Sequence, residues 1–353
     1  MREQLDLQAN QIEMVLASHR INSCVIGGTV TLRTVRFHLA LRMDARLAQL
    51  KGLSEEIALS LDAPACRVVG DNGALSIEIP RAEPSKVSVI DLCGRMGAAP
   101  PCSPVLGLDD HGTPLLLNLN SPDVAHVLIS GTTGSGKTAL AVAMALSLAM
   151  LNPQRSVQLL VIDPKGHGLG YLTGLPHLMW PPISDLPETL ERLRWLVGEV
   201  ERRDSVGIGQ PLIAVFVDEL ADLLMMGGKE MEFTMTRLMQ RGREAGVHLI
   251  ACTQKPTTTV IGSLIKANFP VRIVGSVTSP DEARVATGIS GSGAERLQGR
   301  GDFILVSKGR GTHFAGGYVS GEEARDEVAR LRASLRQQTP LASGNGLVLH
   351  RVG

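Results

Sequence analysis

Aromatic side chains are scarce. Six Phe, two Tyr and two Trp make up 3% of 353 residues. That argues against recognition of nucleic acid by stacked bases, which needs such rings. Net charge is missing as well, with 35 Lys and Arg against 35 Asp and Glu. Bulk electrostatics therefore announce no nucleic-acid partner, although a local basic surface is compatible with a neutral total. The five cysteines (Cys24, Cys66, Cys93, Cys102, Cys252) form no C-x-x-C pair. This speaks against zinc, and an odd count suits a reducing cytosol. No apolar run approaches 18 residues free of polar interruption, and Met1-Arg2-Glu3-Gln4-Leu5-Asp6 lacks the apolar centre of a signal peptide. The expectation is a soluble cytoplasmic protein without membrane insertion. At 44% hydrophobic and 20% charged, the chain suffices for one large domain or two unequal ones.

What is present is a phosphate-binding loop. Gly131-Thr132-Thr133-Gly134-Ser135-Gly136-Lys137-Thr138 fits G-x-x-x-x-G-K-[ST]. The apolar run Val127-Leu128-Ile129 precedes it, and Ala139 to Leu146, rich in helix formers, follows. Strand, glycine loop and helix are the context in which backbone N–H groups and a helix N-terminus close on phosphate oxygens. Lys137 is placed to reach the β- and γ-phosphates of ATP, and the Thr138 hydroxyl to ligate Mg²⁺. A second acidic site is expected for the metal and the attacking water. Ile213 to Val217, followed by Asp218-Glu219, supplies it: an apolar strand ending in two carboxylates. Asp218 is assigned to Mg²⁺, held through water, and Glu219 to the general base. The alternative for such a pair is helix capping. Thr253-Gln254 ends the next strand, which puts Gln254 within reach of the γ-phosphate, because ligands collect at the carboxyl ends of parallel strands. Asp163-Pro164-Lys165 ends the strand Val157–Ile162 at the same edge, with its role open. Arg237, Arg241 and Arg243 lie on the helix between the two site-bearing strands, Arg243 at its end; spacing alone does not choose among them as a charge-neutralising arginine.

The fold expected from patterning is α/β. Residues 5–18 carry a helical pattern, Val35 to Leu41 alternate as a strand after a Gly27-Gly28 turn, and Leu47, Leu50, Ile57 and Leu61 mark an amphipathic helix. Cys66–Val69 and Ala74–Ile79 form a hairpin around Asp71-Asn72-Gly73. Residues 91–124 are rich in Pro, Gly and Asp and read as turns or linker, with a short strand at Leu115–Leu117. Beyond 125, strands at 126–130, 157–162, 212–217, 247–252, 270–275 and 303–306 alternate with helices at 137–150, 187–203, 229–245, 281–288 and 321–335. That implies a mostly parallel sheet buried on both faces. The domains expected are a small α+β domain at 1–95, a P-loop ATPase domain at 96–335 and a flexible tail at 336–353.

These residues resemble the FtsK/SpoIIIE double-stranded DNA translocases. The likeness is carried by His126–Leu148, Val161–Lys165, Val217–Met225, Arg241–Pro256 and Val260–Ile273. Asp218-Glu219-Leu220-Ala221-Asp222-Leu223 and Leu264-Ile265-Lys266-Ala267-Asn268-Phe269-Pro270 are its most specific phrases. The N-terminal unit looks like the family's α domain, and the remainder like its RecA-like β domain. The resemblance implies a homohexameric ring, ATP at subunit interfaces and duplex DNA in the pore. It singles out Arg243 as the trans-acting arginine finger and Lys255, Lys266 and Arg284 as contacts to the DNA backbone. Pro280 stands where family members often have a basic residue. The membrane-spanning N-terminus and the C-terminal winged helix of the cell-division translocases have no counterpart here, which favours a motor of a phage, plasmid or mobile element for DNA transfer or packaging. The runner-up is an FtsK-like ATPase driving protein secretion; a recruiting partner is not indicated.

Overall fold

The computed structural model describes residues 2–31, 34–41, 47–71, 74–81, 85–166, 168–254 and 268–338. They divide into two compact units, one of 1–87 with 108–114 and one of 88–107 with the chain from 115 onward.

The first unit opens with α1 (Arg2–Ser18), which buries Ile12 and Leu16. Strands β1 (Ser23–Val30) and β2 (Thr34–Leu41) follow, then α2 (Leu47–Gly52), α3 (Ser54–Ser60), β3 (Arg67–Asp71) and β4 (Ala74–Pro80). The strands form an antiparallel sheet in the order β1-β2-β4-β3. Phe37, Leu50, Ile57, Val68 and Ile77 meet the helix in its core. Two expectations are corrected here. Gly27-Gly28 is no turn: both lie inside β1, where the register slips between Val25 and Gly27 in a bulge. The single helix expected from Leu47 is two, because Gly52 ends the first and the chain restarts at Ser54.

In the second unit β5 (Val87–Ser88) leads into α4 (Val89–Arg95), whose Val89 and Cys93 are buried. Strands β6 (Val105–Asp109) and β7 (Pro114–Leu116) come next. Then β8 (Val127–Ser130), α5 (Lys137–Leu151), β9 (Val157–Ile162), α6 (Leu186–Val206), β10 (Leu212–Val217), α7 (Leu220–Arg241) and β11 (Val247–Thr253) alternate. The chain continues through β12 (Val271–Val274), α8 (Pro280–Thr287), β13 (Asp302–Ser307), β14 (Arg310–Tyr318) and α9 (Gly321–Gln338). The sheet order is β7-β6-β14-β13-β12-β8-β11-β10-β9.

Only part of this sheet is parallel. β9, β10, β11, β8 and β12 run together, but β13 is antiparallel to β12 and β14 to β13. The sheet is therefore mixed, not mostly parallel. A two-residue turn at Lys308 (φ 51°) and Gly309 (φ 71°) makes β13 and β14 a hairpin. The five parallel strands are buried on both faces. Val127 and Ile129 pack on the side of α5, while Leu128 packs on the side of α6 and α7. Period-two alternation thus splits one apolar strand between two cores, and no polar face appears in the sequence.

Candidate functional site

At the carboxyl edge of β8 the backbone turns through three glycines of positive φ: Gly131 (148°), Gly134 (82°) and Gly136 (98°). A Cβ at Gly136 would stand 2.8 Å from the Gly301 N, so both its dihedral and its neighbour require glycine. Gly136 is the N-cap of α5 and has no side chain to offer the helix, which leaves the first N–H groups for an anion. Two segments that the sequence did not mark brace this loop. The Thr132 N–H donates to Ser276 O at 2.8 Å, and the N–H groups of Arg300 and Gly301 donate to Gly134 O and Ser135 O at 3.0 and 2.8 Å. The missed signal is a glycine cluster, Gly299-Arg300-Gly301, directly before β13.

Lys137 is buried and donates from Nζ to Gly131 O and Thr132 O at 2.8 and 2.9 Å. Burial lowers its pKa. The Ser135 hydroxyl, also buried, has no partner among the described residues. One strand over from β11, β10 delivers Asp218, whose Oδ1 accepts the Thr138 hydroxyl at 2.7 Å. These two oxygens are hard donors, and their separation is close to the roughly 3 Å edge of a Mg²⁺ octahedron. The pair fits Mg²⁺, which Thr138 and Asp218 can hold from one side.

Glu219 occupies the N-cap position of α7, yet its side chain caps nothing. Instead Oε1 accepts the Gln254 N–H at 3.2 Å, across from the neighbouring strand. The carboxylate is 4% exposed. Burial raises its pKa and that of Asp218, so both are better bases than free carboxylates. Gln254 also accepts the Thr133 hydroxyl on Oε1 at 3.0 Å, which ties the end of β11 to the glycine loop. Lys137, Thr138, Asp218, Glu219 and Gln254 are therefore brought together from α5, β10 and β11.

The arginines separate. Arg237 pairs with Glu201 at 2.5 Å and Arg241 with Asp204 at 2.9 Å, bridging α7 to α6. Arg243 is not on the helix as expected, because α7 ends at Arg241; it is exposed, forms no ion pair among the described residues, and donates to Pro122 O at 2.9 Å. It precedes β11, whereas Gln254 follows it. Seven residues of strand at about 3.3 Å each put roughly 20 Å between Arg243 and its own glycine loop. Arg284 is exposed on α8, with Asp281 3.8 Å away. Pro280 is the first residue of that helix, behind a Ser279 cap. Lys255 and Lys266 lie outside the described residues.

No helix among the described residues is long and apolar enough to cross a membrane. Comparison with known proteins finds two family models. The FtsK/SpoIIIE family model matches residues 99–206 and 205–258, and the FtsK alpha domain model matches 1–81. The chain is similar to DNA translocase FtsK of Sporosarcina ureae, 32% identical over 88% of this chain and 43% of that protein. It is similar to DNA translocase SftA of Bacillus subtilis (strain 168), 31% identical over 94% of this chain and 37% of that protein. It thus spans less than half the length of these relatives. Among solved structures it resembles the pCW3 conjugation coupling protein TcpA, a monomer form with ATPγS, with TM-score 0.63 and 18% identity over 92% of this chain and 99% of that one. It also resembles the cytoplasmic domain of the type VII secretion ATPase EccC of Thermomonospora curvata, with TM-score 0.59 and 22% identity over 70% of this chain and 34% of that one. At these identities the structural likeness speaks to fold alone.

Proposed function

Because the chain belongs to the FtsK/SpoIIIE family, we propose that it is a cytoplasmic, RecA-like ATPase motor that moves double-stranded DNA through a homohexameric ring. The observation that carries the ATPase reading is the closure of Thr138 on Asp218 beside a buried Glu219. Loop N–H groups and Lys137 hold the β- and γ-phosphates, and Lys137 gives up its two carbonyl partners to do so. Mg²⁺, held by Thr138 and Asp218, supplies charge neutralisation on the phosphates when bound. Glu219 takes the proton of the attacking water. Gln254, bonded to both the loop and Glu219, reports the state of the γ-phosphate to the chain beyond 254. Arg243 neutralises developing charge in the neighbouring subunit's site, since its own is out of reach.

Lys255, Lys266 and Arg284 are proposed to contact DNA phosphates. A motor indifferent to sequence holds the backbone and ignores base edges, which agrees with few aromatics and a neutral total charge. The test is ATP hydrolysis by the purified chain with and without duplex DNA, over a salt series. Stimulation by duplex, falling steeply with salt, is expected. Turnover indifferent to DNA in assembled rings would overturn the DNA reading and leave protein transport in its place.

A further inference from the structure

One acidic residue at the site has no part in the scheme above. Asp163 follows β9 just as Asp218 follows β10, and these strands pair in parallel with Ile162 opposite Val217. The two carboxylates therefore stand side by side at the carboxyl edge. Asp163 is 2% exposed. Its Oδ1 accepts the Gly166 N–H at 2.9 Å, and its Oδ2 accepts the N–H groups of Gly168 and Leu169, each at 2.9 Å. One side chain thus gathers the backbone on both sides of the loop.

Of this backbone, Gly168 lies directly on the Thr138–Asp218 pair. A Cβ at Gly168 would stand 2.4 Å from Thr138 Cγ2 and 3.1 Å from Asp218 Oδ2. Gly168 is not among the residues of positive φ, so space and not dihedral freedom requires glycine there. A second tie runs from the same loop to α7, where Lys165 Nζ meets Asp222 Oδ2 at 3.0 Å. Bare backbone is what fits against the Thr138 methyl and Asp218 Oδ2, the far sides of the two side chains whose Oγ1 and Oδ1 are assigned to the cation.

We propose that Asp163 is a positioning residue for the cation side of the nucleotide site: through Gly168 it holds Thr138 and Asp218 at the spacing a divalent ion requires. Asp163 is not itself a ligand in this scheme. The inference rests on the ATPase reading and deepens it.

The experiment is equilibrium binding of a fluorescent ATP analogue to the full chain and to Asp163→Asn and Gly168→Ala, in EDTA and across a Mg²⁺ titration. Thermal melting without nucleotide accompanies each. In the wild-type chain Mg²⁺ is expected to tighten binding. In both variants the Mg²⁺ needed for half of that effect should rise about tenfold or more, the usual cost of disturbing an outer-sphere partner. Affinity in EDTA should stay near the wild-type value. Gly168→Ala keeps every N–H group that Asp163 accepts from and carries the test if Asp163→Asn folds poorly. A wild-type Mg²⁺ midpoint in the folded variants, or equal losses with and without Mg²⁺, overturns the proposal. No Mg²⁺ effect in the wild-type chain overturns the ATPase reading, and this inference with it.

Discussion

Lys137 and Glu219 feel each other's charge, and each is shifted by burial toward its neutral form. A phosphate arriving between them reverses the balance for Lys137, which then finds a charged partner in place of two carbonyls. Lys137→Ala is expected to lower hydrolysis by at least about 10² to 10³, measured as phosphate release. Glu219→Gln should lose hydrolysis comparably while keeping nucleotide affinity, because it removes a base and not a phosphate contact. His126 sets an acid limit. Its Nε2–H donates to Met239 O at 2.8 Å and its Nδ1 accepts the Leu249 N–H at 2.9 Å, so protonation must break the second bond. Burial pushes its pKa from 6.5 down to about 4. The unfolded chain then binds this proton at a pH where the folded chain does not. The contribution is complete above pH 6.5 and is lost as pH falls toward 4, up to about 3 kcal/mol. Urea midpoints should fall between pH 7 and pH 5, and His126→Gln should flatten that fall. It should not abolish it, since burial also lowers His177 and His248.

Elements show where reading by pattern succeeds. Short apolar runs bounded by polar turns gave β9 and β10 their limits, because a strand buried on both faces has no alternation to blur. α7 was expected from 229, and the structure starts it at Leu220 with a break at Gly228 (φ 59°, ψ −152°). The two halves are separate in helical geometry, so only the half after the glycines carried a continuous periodic signal. β14 went unseen because Gly311, Gly316 and Gly317 dilute its apolar pattern. A Cβ at Gly316 would meet the Phe303 ring at 2.8 Å, so that glycine is a packing requirement visible only in three dimensions. At this scale Arg203 ties elements together. Buried on α6, it bonds Glu199 Oε1, Pro211 O and Ala245 O, and so fastens α6 to the turns before β10 and β11. Arg203→Met leaves the Pro211 and Ala245 carbonyls without this donor, while Glu199 keeps its two bonds from Arg202. A loss of roughly 1–3 kcal/mol is expected in denaturant titration.

For the whole molecule the decisive matter is where Arg243 stands. It stands at the opposite end of β11 from its own glycine loop, so the role proposed for it requires a second copy of the chain. Mixing two inactive variants checks this. Arg243→Ala and Glu219→Gln in equal amounts should regain activity at roughly a quarter of interfaces, those that pair an intact arginine with an intact glutamate. If Arg243 served its own site, the mixture would stay as inactive as its parts.

Which residues meet at the candidate site was readable along the chain, because glycine loop, apolar strand and terminal carboxylates are local patterns whose spacing follows from strand and helix geometry. So was the alternation of strands and helices that carries them. Tertiary structure alone decided the rest: that β13 and β14 reverse direction, that residues 276 and 299–301 brace the glycine loop, and that Gly168 must be bare. Each depends on which segments far apart in sequence come within van der Waals reach, and no periodicity along one segment encodes the identity of its neighbour.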